Sequence, residues 1–577
     1  MKLILQFARR HWIICAVTII LLILDVMGGL FVPTFAAEML NLGISGATFK
    51  NLLETATKML IYSVASGICG ILGGYTCAVL ASRVGKDIRM ALYQKSLKLS
   101  VYDFRQYGTA SITMRTVSDV NTIQLAIKSM LSIIFPVPVI CIVALILSFN
   151  LDTKIGFLLL TVIVSVLIFA YFIMHSATPL FRNLQRLLDK MSVVLLENIT
   201  GVRVVRAFNS EEREKMRMDD AFRTYAQTSI KANRRFACLD GLSFLFINVF
   251  VVVVYFLSGK EISVGNLQIG DITALIEYAI LVLFFLMMAQ MEILTLPRAM
   301  ECCDRIRAVL EHAPEIVDLT DHTPENVKES SDEVLTFKNV SFRFADAEEN
   351  TISHLDFTCR RGETTAIIGG TGSGKSTVAS LILRFHDVIG GSVRLNGVDI
   401  RGMPQSYLRD RISYVQQKAW LFSGTIAENI RYSNKSASDE ELMYAADVAQ
   451  AGDFIRSLPD GLNSYVAQGG TNFSGGQRQR LSIARALVKK PELFIFDDSF
   501  SALDFKTDAE LRRALAKETK NSAVLIIAQR ISTIRNAEQI IVLNEGQMVG
   551  KGTHDELMQN CPVYQEIYRS QTKEGQQ

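Results

Sequence analysis

The sequence predicts an all-α transmembrane domain of six helices with long cytoplasmic helix extensions, followed by an α/β domain. Three observations carry this. The chain has 577 residues, more than a single hydrophobic core organises, so two or more domains are expected. Hydrophobic residues make up 49% and mean hydropathy is +0.26, and the apolar residues gather in the first half. From Glu333 onward, short β-rich runs (VLTFKNVSFRF, TTAIIGG, VLIIAQR, QIIVLNEG) alternate with helical ones, as in a largely parallel core sheet. The net charge of +3 is nearly balanced and argues for no nucleic-acid partner. The nine cysteines show neither metal-ligand spacing nor a disulfide framework, so they read as small buried thiols.

Six stretches approach the 20 or so apolar residues a helix needs to cross a bilayer core. They lie at approximately 12–35, 55–82, 130–150, 154–175, 240–259 and 271–294. The first is too long for a signal peptide and others follow, so it is expected to stay in the mature chain. Segment 83–128 carries eight Lys and Arg and segment 176–239 carries twelve, whereas the turns at 36–54, 151–153 and 260–270 share only Lys50 and Lys260. Positive charge stays inside, so both long segments and both termini are expected in the cytoplasm. The spacing of Leu184, Leu187, Leu188, Met191 and Leu195 predicts that these segments continue the membrane helices. Residues 312–332, polar and acidic with two prolines, read as a linker between a transmembrane domain at 1–311 and an α/β domain at 333–577.

The run Gly369-Gly370-Thr371-Gly372-Ser373-Gly374-Lys375-Ser376 follows the apolar strand Thr364–Ile368 and opens a helix beginning at Thr377. In that setting it is a phosphate-binding loop of a P-loop nucleotide-binding domain. Its backbone N–H groups and the helix N-terminus favour phosphate, Lys375 would reach the β- and γ-phosphates of ATP, and Ser376 would hold Mg²⁺. Asp497, at the end of the apolar run in LFIFDDSF (Leu493–Phe500), is the expected second metal group.

Asn472-Phe473-Ser474-Gly475-Gly476-Gln477-Arg478-Gln479-Arg480 precedes the helical stretch LSIARALV. With this motif the whole chain resembles an ABC transporter, specifically an exporter half-transporter with six spans ahead of one nucleotide-binding domain. The resemblance implies further roles. Gln417 in YVQQKAWLF would serve the metal and the attacking water, Asp504 would close the D-loop, and Phe344 would stack on adenine. Glu197–Phe208 would be a coupling segment. It also implies a head-to-tail dimer, in which Ser474, Gly475, Gly476 and Gln477 cage the γ-phosphate of a nucleotide held by a second half-transporter.

Two positions depart from the family pattern. Asp498 stands where a water-polarising Glu is usual, and Gln529 stands where the family has a switch histidine. The shorter carboxylate would fall about 1 Å short, a misplacement that can cost on the order of a hundredfold in rate. The expectation is a site kept for ATP and Mg²⁺ binding and relieved of fast hydrolysis, like the weakened chain of heterodimeric bacterial multidrug exporters in the cell membrane. The rival is a slow homodimer in which Asp498 still works. Gln416 and Gln468 also depart, without an evident reason.

For the cargo path, Asp25 in the first span and Glu277 in the sixth are candidates because intramembrane charges are costly. An interhelical hydrogen bond is an equal reading for both. Phe284, Phe285, Met287, Met288 and Gln290 would suit an adaptable apolar cavity or a lipid face. Pro33, Pro136 and Pro138 are positioned to kink their helices. The expected function is ATP-driven export of hydrophobic or amphipathic compounds, with lipid or peptide cargo as the alternative. A membrane-bound ATP sensor or gated channel is the reading from another class.

Overall fold

A computed structural model of the chain describes residues 2–264, 267–293, 295–318 and 332–574. They fall into two compact units. One comprises Met1–Lys98 and Gly108–His312, the other Leu99–Tyr107 and Ala313–Gln577.

The first unit is helical throughout. Among the described residues, six helical stretches are long and apolar enough to cross a membrane. The main helices are Trp12–Ile44, Phe49–Ser96, Pro136–Leu151, Thr153–Thr200, Glu211–Val264 and Ile269–Ile293. Every expected span lies on one of these or on the turns leading into it, apart from residue 294, which lies outside the described residues. The polar segments are helical too, as their apolar periodicity requires. Thr153–Thr200 has 48 residues. At 1.5 Å per residue that is about 72 Å, more than twice the ~30 Å hydrocarbon core, so much of the helix must stand outside the bilayer. Gly201 ends it, and the short helix Val202–Ala207 turns the chain into Glu211–Val264. Glu197–Phe208 is therefore the turn between two long helices.

Prolines act locally. Pro33 is accommodated inside the first spanning helix. Pro136 opens its helix directly after a widened turn, Met130–Ile134, in which the Phe135 N–H donates to the Met130 carbonyl at 2.8 Å. Proline has no N–H to continue the regular ladder, and a π-type turn absorbs the break.

The first two spanning helices meet through small residues. A Cβ on Gly28 would lie 2.6 Å from the Ser66 Cβ, and one on Gly70 would lie 3.0 Å from the Asp25 carboxylate. The Ser66 hydroxyl is 2.9 Å from the Asp25 carbonyl and 3.0 Å from its carboxylate. Asp25 is thus hydrogen-bonded across the helix pair to Ser66. Glu277 is exposed on this chain, next to Tyr278, which is fully buried and 2.6 Å from the Thr34 hydroxyl. Asn41 ties the same two helices near their ends, donating to Asp271 at 3.1 Å and accepting from the Gly270 N–H at 2.7 Å. All nine cysteines are free thiols.

The second unit holds a six-stranded sheet, β12-β11-β3-β10-β9-β6, a four-stranded sheet, β2-β1-β4-β5, and a two-stranded ribbon, β7-β8. In chain order the strands are β1 (Glu333–Phe342), β2 (Ile352–Arg360), β3 (Thr364–Gly369), β4 (Gly390–Leu395), β5 (Val398–Asp399) and β6 (Ile412–Val415). Then come β7 (Gly424–Thr425), β8 (Tyr465–Val466), β9 (Leu493–Asp497), β10 (Ala523–Ile527), β11 (Gln539–Asn544) and β12 (Gln547–Gly552). The pairs β11–β3, β3–β10, β10–β9 and β9–β6 are parallel, and β12 closes one edge antiparallel. The run VLTFKNVSFRF contributes β1 to the separate antiparallel sheet, because apolar β-rich runs do not state which sheet they join. Of the expected linker 312–332, residues 319–331 lie outside the described residues. Within the second unit, Ile316 is buried and Asp318 accepts from the Gln405 N–H at 3.1 Å.

Gly28→Ala is expected to destabilise the packing of the first two helices by about 1–3 kcal/mol, because the added methyl has no room. Thermal unfolding of the detergent-solubilised chain checks this. Gly29→Ala, whose methyl would meet nothing within 4 Å, should leave the midpoint unchanged.

Candidate functional site

Of three neighbouring parallel strands, β9 and β10 end level with one another and β3 runs two residues further. Ile527 on β10 pairs with Ile367 on β3 and with Asp497 on β9. The loops leaving these strands therefore emerge on one edge of the sheet, where open parallel sheets carry their ligands. After β3 comes the glycine loop, which turns into the helix Lys375–Ile382. Gly372 and Gly374 have φ of +83° and +92°, left-handed values that glycine adopts without a Cβ clash. After β9 come Asp497 and Asp498, and after β10 come Ala528 and Gln529.

These ends enclose a cavity of about 300 Å³ lined by Thr351, Thr371, Gly372, Gly374, Lys375, Ser376, Thr377, Gln417, Asp497, Asp498, Ile527, Ala528 and Gln529. The phosphate loop, both strand-end acids, Gln417 and Gln529 are thus brought together as expected. Gly370 and Ser373 do not line the cavity themselves and contact Lys375 instead. The Lys375 ammonium donates to the carbonyls of Gly369 at 2.9 Å and Gly370 at 2.6 Å, and lies 3.4 Å from the Ser373 hydroxyl. Burial pulls the Lys375 pKa below its ordinary value, with Asp498 and Asp497 partly restoring it.

The two acids differ in surroundings. Asp497 is buried; the Ser376 hydroxyl donates to its Oδ1 at 3.2 Å and the Tyr414 hydroxyl to its Oδ2 at 3.1 Å. Burial pushes its carboxyl above the ordinary range, against the pull of those two bonds. Asp498 accepts from the Gln417 side-chain amide at 3.1 Å, and its own N–H donates to the Ile527 carbonyl at 2.8 Å. Burial raises this carboxyl too, while the Gln417 bond and the Arg530 charge lower it. Its φ is +47°, a region that Asp tolerates better than most side chains.

A hard divalent cation suits these donors. The Ser376 hydroxyl and Asp497 carboxylate are neighbours, Gln417 adds an amide oxygen, and a buried carboxylate with raised proton affinity gains from a cation beside it. These residues would hold Mg²⁺, which would shield phosphate charge when bound.

Other expected site residues lie elsewhere. Ser474 caps the helix Gly475–Val488: its hydroxyl accepts from the Gln477 N–H at 3.2 Å, and Gln477 Oε1 accepts from the Ser474 N–H at 2.9 Å. This is a capping box. Ser474 and Gly475 are exposed, and none of 474–477 lines the cavity. Asp504 caps the helix Phe505–Glu518 by accepting from the Thr507 N–H at 3.0 Å, also away from the cavity. Phe344 packs edge-on against Phe342 at 4.9 Å and His386 at 5.3 Å.

Sequence reasoning missed Tyr414, Thr351 and Arg530. Tyr414 reaches Asp497 only because β6 pairs with β9, a register no local pattern reveals. Thr351 comes from the turn before β2, far from any motif. Arg530 was visible beside Gln529 but carried no charge partner in the sequence.

Residues 14–287 match the family description "ABC transporter transmembrane region", and residues 352–501 match "ABC transporter". The chain is 32% identical over 578 residues to an ABC transporter ATP-binding protein of Mycobacterium tuberculosis, covering 99% of this chain and 98% of the relative. It is 29% identical over 577 residues to an ATP-dependent lipid A-core flippase of Vibrio vulnificus, with 99% and 97% covered. Its fold matches a bacterial Atm1-family ABC exporter solved with ATP bound, at a TM-score of 0.80 and 25% identity over 97% of this chain and 98% of that one. The chain belongs to the ABC transporter family. It is an exporter-type half-transporter, a multi-pass membrane protein with its own ATPase domain, and such halves work as dimers.

The buried Asp497 gives a prediction with a definite sign. An acid whose folded-state pKa is raised binds its proton more tightly when folded. Stability therefore falls as pH rises from the acid's ordinary value through the raised one, and the ionised group is a cost at neutral pH. Asp497→Asn should raise the thermal midpoint of the nucleotide-free chain at pH 7.5 by a degree or more. It should also abolish the extra midpoint rise that Mg²⁺ adds to ATP. A lower nucleotide-free midpoint would show that the Tyr414 and Ser376 bonds need the charge.

Proposed function

We propose that the chain is one half of a heterodimeric exporter of hydrophobic or amphipathic compounds, and that its own nucleotide site binds ATP firmly but hydrolyses it slowly. The observation that carries this is the composition of one cavity. Lys375, Ser376 and Asp497, which hold phosphate and metal, stand beside Asp498 and Gln529, which replace the usual water-polarising Glu and the switch histidine. Neither replacement can supply a full-length carboxylate or an imidazole at the γ-phosphate. Asp498 is moreover tied to Gln417, which leaves its short side chain little reach.

The exposed, self-capped Ser474 helix end supports the second half of the reading. In the head-to-tail arrangement it would face the partner's nucleotide, at the site where hydrolysis is fast. ATP binding would then draw the two nucleotide-binding domains together, and the long helices would carry that closure to the spans.

The cargo has a second reading. The lipid A-core flippases among the relatives favour an amphipathic lipid over a drug-like compound. ATP-dependent movement of a fluorescent lipid and of a lipophilic cation, compared in sealed vesicles, separates the two. Movement of neither would favour a sensor or channel.

The test of the slow site uses the purified chain alone in lipid nanodiscs, where both sites of any homodimer carry Asp498 and Gln529. Turnover should fall well below the ~10 per second typical of enzymes. Asp498→Glu or Gln529→His alone should change it less than about threefold, because groups acting as a unit are non-additive. The left-handed backbone at residue 498 adds a small cost to the longer side chain. The double variant should gain more than about tenfold. Brisk turnover by the unmodified chain would refute the slow-site reading.

A further inference from the structure

The backbone on either side of Arg530 is held from a direction that the phosphate chemistry does not use. The C-terminal helix Pro562–Glu574 packs against the short helix Ile531–Ile534 that follows Gln529. Gln571 makes a polar contact there. Gln571 Nε2 donates to the Gln529 carbonyl at 2.7 Å, and Gln571 Oε1 accepts from the Ile531 N–H at 2.9 Å. Both halves of a single amide are spent on two peptide groups two residues apart. Ile531 begins its helix, so its N–H has no partner within that helix, and Gln571 supplies one.

This contact fixes the peptide plane that leaves the Gln529 Cα. Gln529 is itself a lining residue of the phosphate cavity, and its side chain departs from this clamped Cα. The support behind the clamp is firm. Tyr564, on the same C-terminal helix, is fully buried with its hydroxyl 2.8 Å from His554 Nδ1. At the other end of the short helix, Arg512 donates to the Ser532 and Thr533 carbonyls at 2.9 and 3.2 Å. The chemistry of residue 571 is specific. Glu could accept but not donate, Lys could donate but not accept, and Ala could do neither.

We propose that Gln571 is a positioning residue for ATP binding, through which the C-terminal helix sets where the Gln529 side chain stands against the phosphates. This goes beyond the slow-site reading and holds whether or not this cavity hydrolyses its nucleotide.

The test measures the affinity of the full-length chain in nanodiscs for ATP with Mg²⁺, with thermal unfolding recorded in parallel. Gln571→Glu, which loses only the bond to the Gln529 carbonyl, should weaken binding about fivefold, the worth of one hydrogen bond, and Gln571→Ala, which loses both bonds, should weaken it at least as much. In a Gln529→Ala background the same substitutions should change affinity less than about twofold, because the group they position is gone. A merely structural role would lower stability and affinity alike in both backgrounds. Gln571→Glu keeps the bond from the Ile531 N–H and carries the test if Gln571→Ala folds poorly. Unchanged affinity in the variants, or an equal loss with and without Gln529, would overturn the proposal.

Discussion

Ile367, Ile527 and Asp497 lie abreast on three parallel strands, and the site depends on that register. Were β9 shifted by one residue, Asp497 would point to the opposite face of the sheet, since side chains alternate along a strand. Asp497, the glycine loop and Gln529 would then no longer share a cavity. The register is enforced by burial. β9 and β10 are buried along their whole lengths, so neither can slip without exposing apolar surface on both faces.

Within that frame the site stores electrostatic tension. Lys375 loses solvation and gains two carboxylates, and Asp497 loses solvation and gains two hydroxyl donors. Each group sits where water would solvate it better, a common arrangement where a ligand is to replace the water. Triphosphate and Mg²⁺ carry the charges that would relieve both. Binding is thus built into the strand ends, whereas the reach of Asp498 and the chemistry of Gln529 are side-chain matters laid over them. A chain can lose speed at those two positions and keep its nucleotide.

Much of this was legible in the sequence, for identifiable reasons. Membrane spans announce themselves by length and apolarity, and the phosphate loop by glycines at fixed spacing between a strand and a helix. Asp498 and Gln529 were legible because they stand in runs with a strong family pattern. Tyr414 was not, since its role comes from the pairing of β6 with β9 across some eighty residues of chain. Gln571 was not, because a polar residue near a chain end has no local mark of the backbone it will clamp. The membership of β1 in an antiparallel sheet was likewise hidden, since an apolar run fixes burial but not partners. Asp25 shows the remaining limit. A charge in a span marks a costly group, but nothing in the sequence shows that Ser66 and Gly70 of the next helix lie against it.

On the proposed reading, this cavity retains ATP while its counterpart in the dimer turns over. The most direct measurement identifies the nucleotide left on this chain during steady turnover of the assembled exporter, using a photoreactive ATP analogue crosslinked in place and read by mass spectrometry. Triphosphate is expected on this chain, with diphosphate accumulating at the other site. Diphosphate forming on this chain as fast as on its partner would contradict it, and would make Asp498 a working base with a shorter arm.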